Sequence, residues 1–113
     1  MVKTMRLAHD EINTHLDFYE KLLTQKQQAI MNAYYREDYS LAEIAENVGV
    51  TRSAVSDIIQ RVIKILLHYE EVLQLVCKYR IRNQCYKILA QSQDDMIQQV
   101  YKQLKESESE HYE

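Results

Sequence analysis

Residues 39–61 read "YSLAEIAENVGVTRSAVSDIIQR", and this stretch decides the fold. Ser40 and Glu43 stand at capping-box spacing, where a hydroxyl accepts from the N3 amide while the N3 carboxylate reaches back to the cap amide. Behind them Leu41, Ile44, Ala45 and Val48 recur at spacings of three and four, the inner face of a short helix. Gly49 follows at once. It is the only glycine in the chain, placed where a tight turn needs positive φ. Thr51 then caps a second helix. Two short apolar-striped helices about one glycine predict a helix-turn-helix.

Upstream, "TQKQ" at 24–27 is another capping box and opens a helix that carries Ile30, Met31 and Tyr34 inward and ends around "REDY". A first helix is expected from near Thr4 to about Leu23, its buried stripe being Ile12, Leu16, Tyr19 and Leu23. Downstream, Val55, Ile58, Val62, Ile65, Tyr69, Val72, Val76 and Tyr79 alternate spacings of three and four, which predicts one unbroken long helix. More than three heptads of that pattern is a supercoil seam. Ile59, Ile63, Leu66 and Leu73 widen the face. The stripe predicts a homodimer with Val62, Ile65, Tyr69, Val72 and Val76 at its seam, because a core of short helices cannot cover so long a surface. The plainer alternative packs the stripe on the chain's own first helix. "SQDD" at 92–95 opens a last helix with Met96, Ile97, Val100, Tyr101 and Leu104.

Composition agrees with an all-α fold. With no proline and a single glycine among 113 residues, little in the chain stops a helix. An apolar content of 46% supports one modest core. The expectation is a single all-helical domain over 1–106, with the helix-turn-helix within 24–64 and a disordered acidic tail at 107–113. The opening "MVKTMRLAHD" has cations but no apolar run behind them, unlike a secretory signal. "VIKILLHYEEVLQLV" is interrupted by Lys64, His68, Glu70 and Glu71, so no membrane insertion is expected and the cytoplasm is the default compartment. On one straight helix Cys77 and Cys85 would lie about 12 Å apart, too far for a disulfide, and they read as free thiols.

Enzyme chemistry finds no support. There is no HExxH and no P-loop, and one glycine cannot build a phosphate cradle. His9 and His15 are six residues apart and share no helix face. His68 reads as a packing or surface group, and the pairs Asp94–Asp95 and Glu70–Glu71 point to different sides of a helix. Neither a metal nor a cofactor is expected.

Charge is segregated beneath the net −3. Residues 51–90 hold seven cations against three anions, inside a chain whose two ends are acidic. On the second helix of the motif the exposed positions are Arg52, Ser53, Ser56, Asp57 and Gln60, with Arg61 and Lys64 on the flank. Side chains near the start of such a helix reach base edges while flanking cations hold phosphates. Arg52 suits guanine, Gln60 adenine, and Asp57 accepts from cytosine but repels phosphate. Across 36–64 four cations face five anions, which predicts weak nonspecific affinity. The motif reads equally as a packing unit only. A second hypothesis is an RNA or protein adaptor built on Lys78, Arg80, Arg82 and Lys87 with Tyr79 and Tyr86 interleaved, since cations beside aromatics suit phosphate contact and stacking. Its bland counterpart is ordinary solvated helix cations.

The run "LLTQKQQAIMNAYYREDYSLAEIAENVGVTRSAVSDIIQR", residues 22–61, resembles the promoter-reading C-terminal domain of bacterial sigma factors. With a long helix behind it, the region from Asp17 to Ile88 looks more closely like the YlxM-type family. Those small bacterial proteins are encoded beside signal recognition particle genes. The resemblance implies a DNA-binding or regulatory protein associated with that pathway, with the particle's GTPase, its receptor or its RNA as expected partners. Matching "VTR" to sigma places base-reading positions on Arg52, Ser53, Ser56 and Asp57. Sigma domains carry cationic or amide side chains where this chain has Ala54, Ser56 and Asp57, and YlxM-type members often have an aromatic in place of Ser56. The expected function is a non-enzymatic accessory factor of signal recognition particle targeting that binds nucleic acid; the alternative is a transcriptional regulator reading duplex DNA through the helix after Thr51.

Overall fold

A computed structural model describes residues 8–109. Among these the chain is all-helical: α1 (His9–Tyr19), a single 3-10 turn (Glu20–Leu22), α2 (Gln25–Tyr35), α3 (Leu41–Val48), α4 (Arg52–Leu73), α5 (Leu75–Ala90) and α6 (Asp95–Ser109). They gather into two compact units, one ending at Val76 and the other beginning at Cys77. No helix among the described residues is long and apolar enough to cross a membrane.

The local signals set most of the boundaries in the first unit. The Thr24 hydroxyl accepts from the Gln27 amide at 3.1 Å, and the Gln27 side chain accepts from the Thr24 amide at 3.0 Å. At α3 the Ser40 hydroxyl accepts from the Glu43 amide at 3.1 Å, and the Glu43 carboxylate accepts from the Ser40 amide at 2.8 Å. Those bonds hold the Glu43 carboxyl below its ordinary range. Gly49 closes α3 in the left-handed region at φ 81°, so the amides of Gly49 and Val50 both donate to the Ala45 carbonyl. The Thr51 hydroxyl caps α4 by accepting from the Ala54 amide at 3.0 Å.

Helix α4 is the centre of the first unit and touches α1, α2 and α3. Ile12, Leu16 and Tyr19 of α1, Ile30 and Met31 of α2 and Ile44 of α3 close on Val55, Val62 and Leu66, all of them almost without solvent exposure. Each such aliphatic side chain contributes about 1.5–3 kcal/mol relative to leaving it in water. Val48, expected on the inner face of α3, is instead exposed. Outside the core, Arg36 ties α2 to the end of α1 through Asp17 at 2.7 Å and Glu20 at 2.8 Å. Burial works to raise the Glu20 carboxyl, but bonds from Asn32 and Arg36 hold it below the ordinary range.

The expected unbroken long helix is corrected at Gln74. That residue takes a left-handed conformation, φ 57°, and ends α4. For a residue with a Cβ this costs about 1–2 kcal/mol, and the compensation is visible. The buried Tyr19 hydroxyl donates to Glu70 Oε1 at 2.5 Å and accepts from the Leu75 amide at 3.1 Å. The same Glu70 oxygen accepts from the Val76 amide at 3.0 Å. A tyrosine of α1 and a glutamate of α4 thus satisfy the first amides of α5, which a helix start leaves without intrahelical partners. Burial first, and then the bond to Glu70, push the Tyr19 hydroxyl up to about 12.

The break disperses the proposed seam. Val62 and Val76 are buried in the chain's own core, and Ile65 and Tyr69 pack against it. Of the five seam residues only Val72 stands open to solvent, 64% exposed. The intramolecular alternative is what most of the stripe adopts.

In the second unit, α6 is capped by Asp94, whose carboxylate accepts from the Met96 amide at 2.8 Å. Ser92, the expected cap, instead accepts from the Asp94 amide at 3.1 Å. Helices α5 and α6 meet where the Tyr86 and Tyr101 rings lie 5.9 Å apart. The Tyr86 hydroxyl donates to Glu108, and Arg82 Nε donates to the same carboxylate at 3.1 Å. The expected first-helix start near Thr4 lies outside the described residues. So does the tail from 110 onward, while residues 107–109 continue α6.

Candidate nucleic-acid interface

The position of each α4 side chain follows from its angle on the helix, about 100° per residue. Val55, Ile59, Val62, Ile63 and Leu66 form the buried side. Ser53, Asp57, Gln60, Arg61 and Lys64 fall on the opposite side and Ser56 borders it, whereas Arg52, about half a turn round from Arg61, stands at the helix start on the angle of the buried side. Six of the seven expected residues therefore share one surface along the first turns of the helix, and Arg52 sits apart from them, exposed at the helix start. Arg52, Ser53, Asp57, Arg61 and Lys64 are exposed, and Ser56 and Gln60 are half-buried.

Local contacts engage one charge of each sign in this region and so leave its balance unchanged. Of the four cations over 36–64, Arg36 is spent on Asp17 and Glu20. Among the described residues no ion pair engages Arg52, Arg61 or Lys64. Of the five anions, Glu43 is turned into its own helix cap. Asp57 remains on the surface between the cations, and it limits how closely phosphate can approach.

Beside Ser56 and Gln60 lies a notch of about 120 Å³, lined also by Tyr34, Tyr35, Leu41, Ile59 and Ile63. Burial and the neighbouring Tyr34 raise the Tyr35 hydroxyl. His9 packs its ring on both tyrosines, at 5.7 and 4.7 Å between centroids. From the sequence alone Tyr34 is expected only as an inward residue of α2. The "YY" doublet was the signal, but its place beside α4 depends on the packing of α2.

The other basic group is not brought together. On α5, Lys78 and Arg82 share one side, while Arg80 and Lys87 lie on the opposite side. Arg82 is paired with Glu108, Tyr86 is buried under that same carboxylate, and Tyr79 is half-buried. The bond to Glu108, with burial second, raises the Tyr86 hydroxyl. Cations interleaved with open aromatic rings, as the adaptor reading needs, are not what α5 presents. Cys77 and Cys85 are exposed and form no disulfide with each other. Among the described residues no group of three His, Cys, Asp or Glu side chains could hold a metal ion.

Comparison with known proteins bears on this motif. A family model described as "Putative helix-turn-helix protein, YlxM / p13 like" matches residues 3–110. The chain belongs to the UPF0122 family. A UPF0122 protein of Staphylococcus epidermidis is 38% identical over 110 residues, 96% of each chain. One from Pediococcus pentosaceus is 47% identical over 75 residues, 66% of each chain. One from Lactococcus lactis subsp. cremoris is 49% identical over 75 residues, 66% of this chain and 68% of its own. The matches to the latter two thus span about two thirds of those relatives' length. The helix-turn-helix of the UPF0122 description is the pair α3 and α4 about Gly49 in this chain.

Proposed function

We propose that this UPF0122 chain is a non-enzymatic regulatory protein that engages duplex DNA through the outer surface of α4. The observation that carries the proposal is the placement of Arg61 and Lys64, exposed and, among the described residues, without ion pairs, beside Ser53, Ser56 and Gln60 on one side of the motif's second helix, with Arg52 exposed at its start. Phosphate contacts by the cations would fix register, and the short polar side chains would reach base edges. Arg52 stands at the helix start, where a side chain enters the major groove deepest. The test is selection of bound sequences from a random duplex pool. Wild type should enrich a defined site, and Arg52→Ala should relax the preference at one position by about 1–3 kcal/mol. Recovery of unenriched duplex by both proteins would refute base reading.

A second reading is favoured by the YlxM likeness: an accessory factor of the signal recognition particle pathway, with the particle's GTPase, receptor or RNA as partner. Among the described residues Lys78 and Lys87 have no ion pair, and they offer contact points on α5. Tagged protein should then recover those components from lysate, less so after Lys78→Glu and Lys87→Glu. Recovery of none of them would count against this reading.

A further inference from the structure

The unit that begins at Cys77 lacks a core of its own. The buried hydrophobic cluster of the chain stops at Val76, and from Cys77 onward Tyr86 is the only buried apolar side chain among the described residues. Two helices of this length, joined by one ring pair and a few polar contacts centred on Tyr86 and Glu108, fall short of what an isolated hairpin needs to stay folded in water. Yet the apolar side chains that would supply a core are present. Ile81 and Ile88 stand seven residues apart on α5, and Met96, Val100 and Leu104 stand four apart on α6; all five are exposed, Ile88 and Met96 by 71% and 72%.

The two stripes lie on one side of the hairpin. Arg82 and Tyr86 of α5 face Tyr101 and Glu108 of α6, which fixes how each helix is turned. Stepping round by about 100° per residue in an antiparallel pair brings both stripes to the same side, about 100° from the contact line on α6 and about 130° on α5. Scattered exposed apolar residues need no explanation, but a continuous two-helix face marks an interface.

Charge indicates what covers it. Between Leu75 and Ala90 the sequence has four cations and no anion, whereas residues 91–113 hold six anions against two cations. Stacking α5 of one hairpin on α5 of another would oppose like charges. Laying α5 over α6 of a second hairpin, and α6 over its α5, opposes unlike charges at both contacts and closes with two-fold symmetry. We infer that this face is covered by the same face of a second copy of the chain, the two hairpins forming a four-helix bundle. Helix pairs of this kind bury their shared stripe in the bundle centre.

Sedimentation of the full chain tests the inference. Wild type is expected at twice the chain mass of 13.5 kDa, and Ile88→Glu/Val100→Glu at the single mass. Val72→Glu alters the exposed apolar residue of α4 and should leave the mass doubled. Since Ile88 and Val100 are already exposed in the single chain, the double variant should keep the helical circular dichroism of α1 to α4; a chain with that signal intact and doubled mass overturns the inference. So does a wild type that sediments at 13.5 kDa, or a Val72→Glu variant that falls to the single mass. Loss of DNA binding in a chain that still dimerises would touch the α4 proposal alone.

Discussion

Replacing Tyr19 by Phe removes one oxygen from the break between α4 and α5. That oxygen donates to Glu70 at 2.5 Å and accepts from the Leu75 amide at 3.1 Å. A hydrogen bond to a charged group contributes about 1.5–3 kcal/mol net, and an amide left without a partner adds to the loss when water is kept away. Leu75 is partly open, so water can replace the second bond, and the expected destabilisation is about 2 kcal/mol. With a urea slope of about 1–3 kcal/mol per molar, the unfolding midpoint should fall by roughly 1 M. The assay is urea unfolding at neutral pH followed by circular dichroism, together with hydrogen exchange at the Leu75 and Val76 amides. Both amides should lose protection, since the Phe ring keeps the packing but not the cap. The hydroxyl also gives an alkaline signature. Its folded value is about 12 against an ordinary 10.0, so the neutral form is favoured by folding. That contribution is complete below pH 10 and is lost as pH rises toward 12. Tyr19→Phe should therefore shrink the alkaline loss of stability. An unchanged urea midpoint with unchanged amide protection would refute the tertiary cap as the reason for the break.

Two other outcomes follow from the geometry. Gly49→Ala should destabilise by about 1–2 kcal/mol through the left-handed backbone alone, because no atom lies within 4 Å of where its Cβ would stand; Gly49→Asn should cost less, and equal urea midpoints for the two variants would contradict this. Glu20 has a folded carboxyl value below its ordinary 4.5, so its contribution is present above that pH and is lost as pH falls through the lower folded value. Arg36→Met should flatten that acid limb, and an acid limb identical to wild type would show that the Arg36–Glu20 contact is without consequence.

How much was legible depended on the range of the signal. Capping boxes and a glycine turn act within four residues, so Thr24, Ser40, Gly49 and Thr51 announced their roles in sequence. The break at Gln74 depends on a hydroxyl 51 residues from its acceptor, while the apolar periodicity runs through the break undisturbed. Val62 and Val72 looked equivalent along the stripe, yet one is core and the other solvent, because at about 100° per residue Val72 has turned well away from the buried side of α4. The exposed surface of α4 was legible because a helix repeats its faces regularly. The basic cluster on α5 was not, because a run of nearby cations is split by the same regularity. The caps of α6 differed by two residues: Asp94 has the carboxylate oriented at the first turn, and Ser92 serves the turn before it. The notch between α2 and α4 needed the packing itself.

The most direct measurement of the central claim is the salt dependence of duplex binding. If Arg52, Arg61 and Lys64 each neutralise one phosphate, the logarithm of affinity should fall against the logarithm of salt with a slope of about −2.7. Changing Arg61 and Lys64 to Ala should bring that slope to about −0.9 while leaving the fold intact. Duplex binding that is undetectable at low salt, or a slope that the double variant leaves unchanged, would contradict the assignment of the α4 surface to DNA.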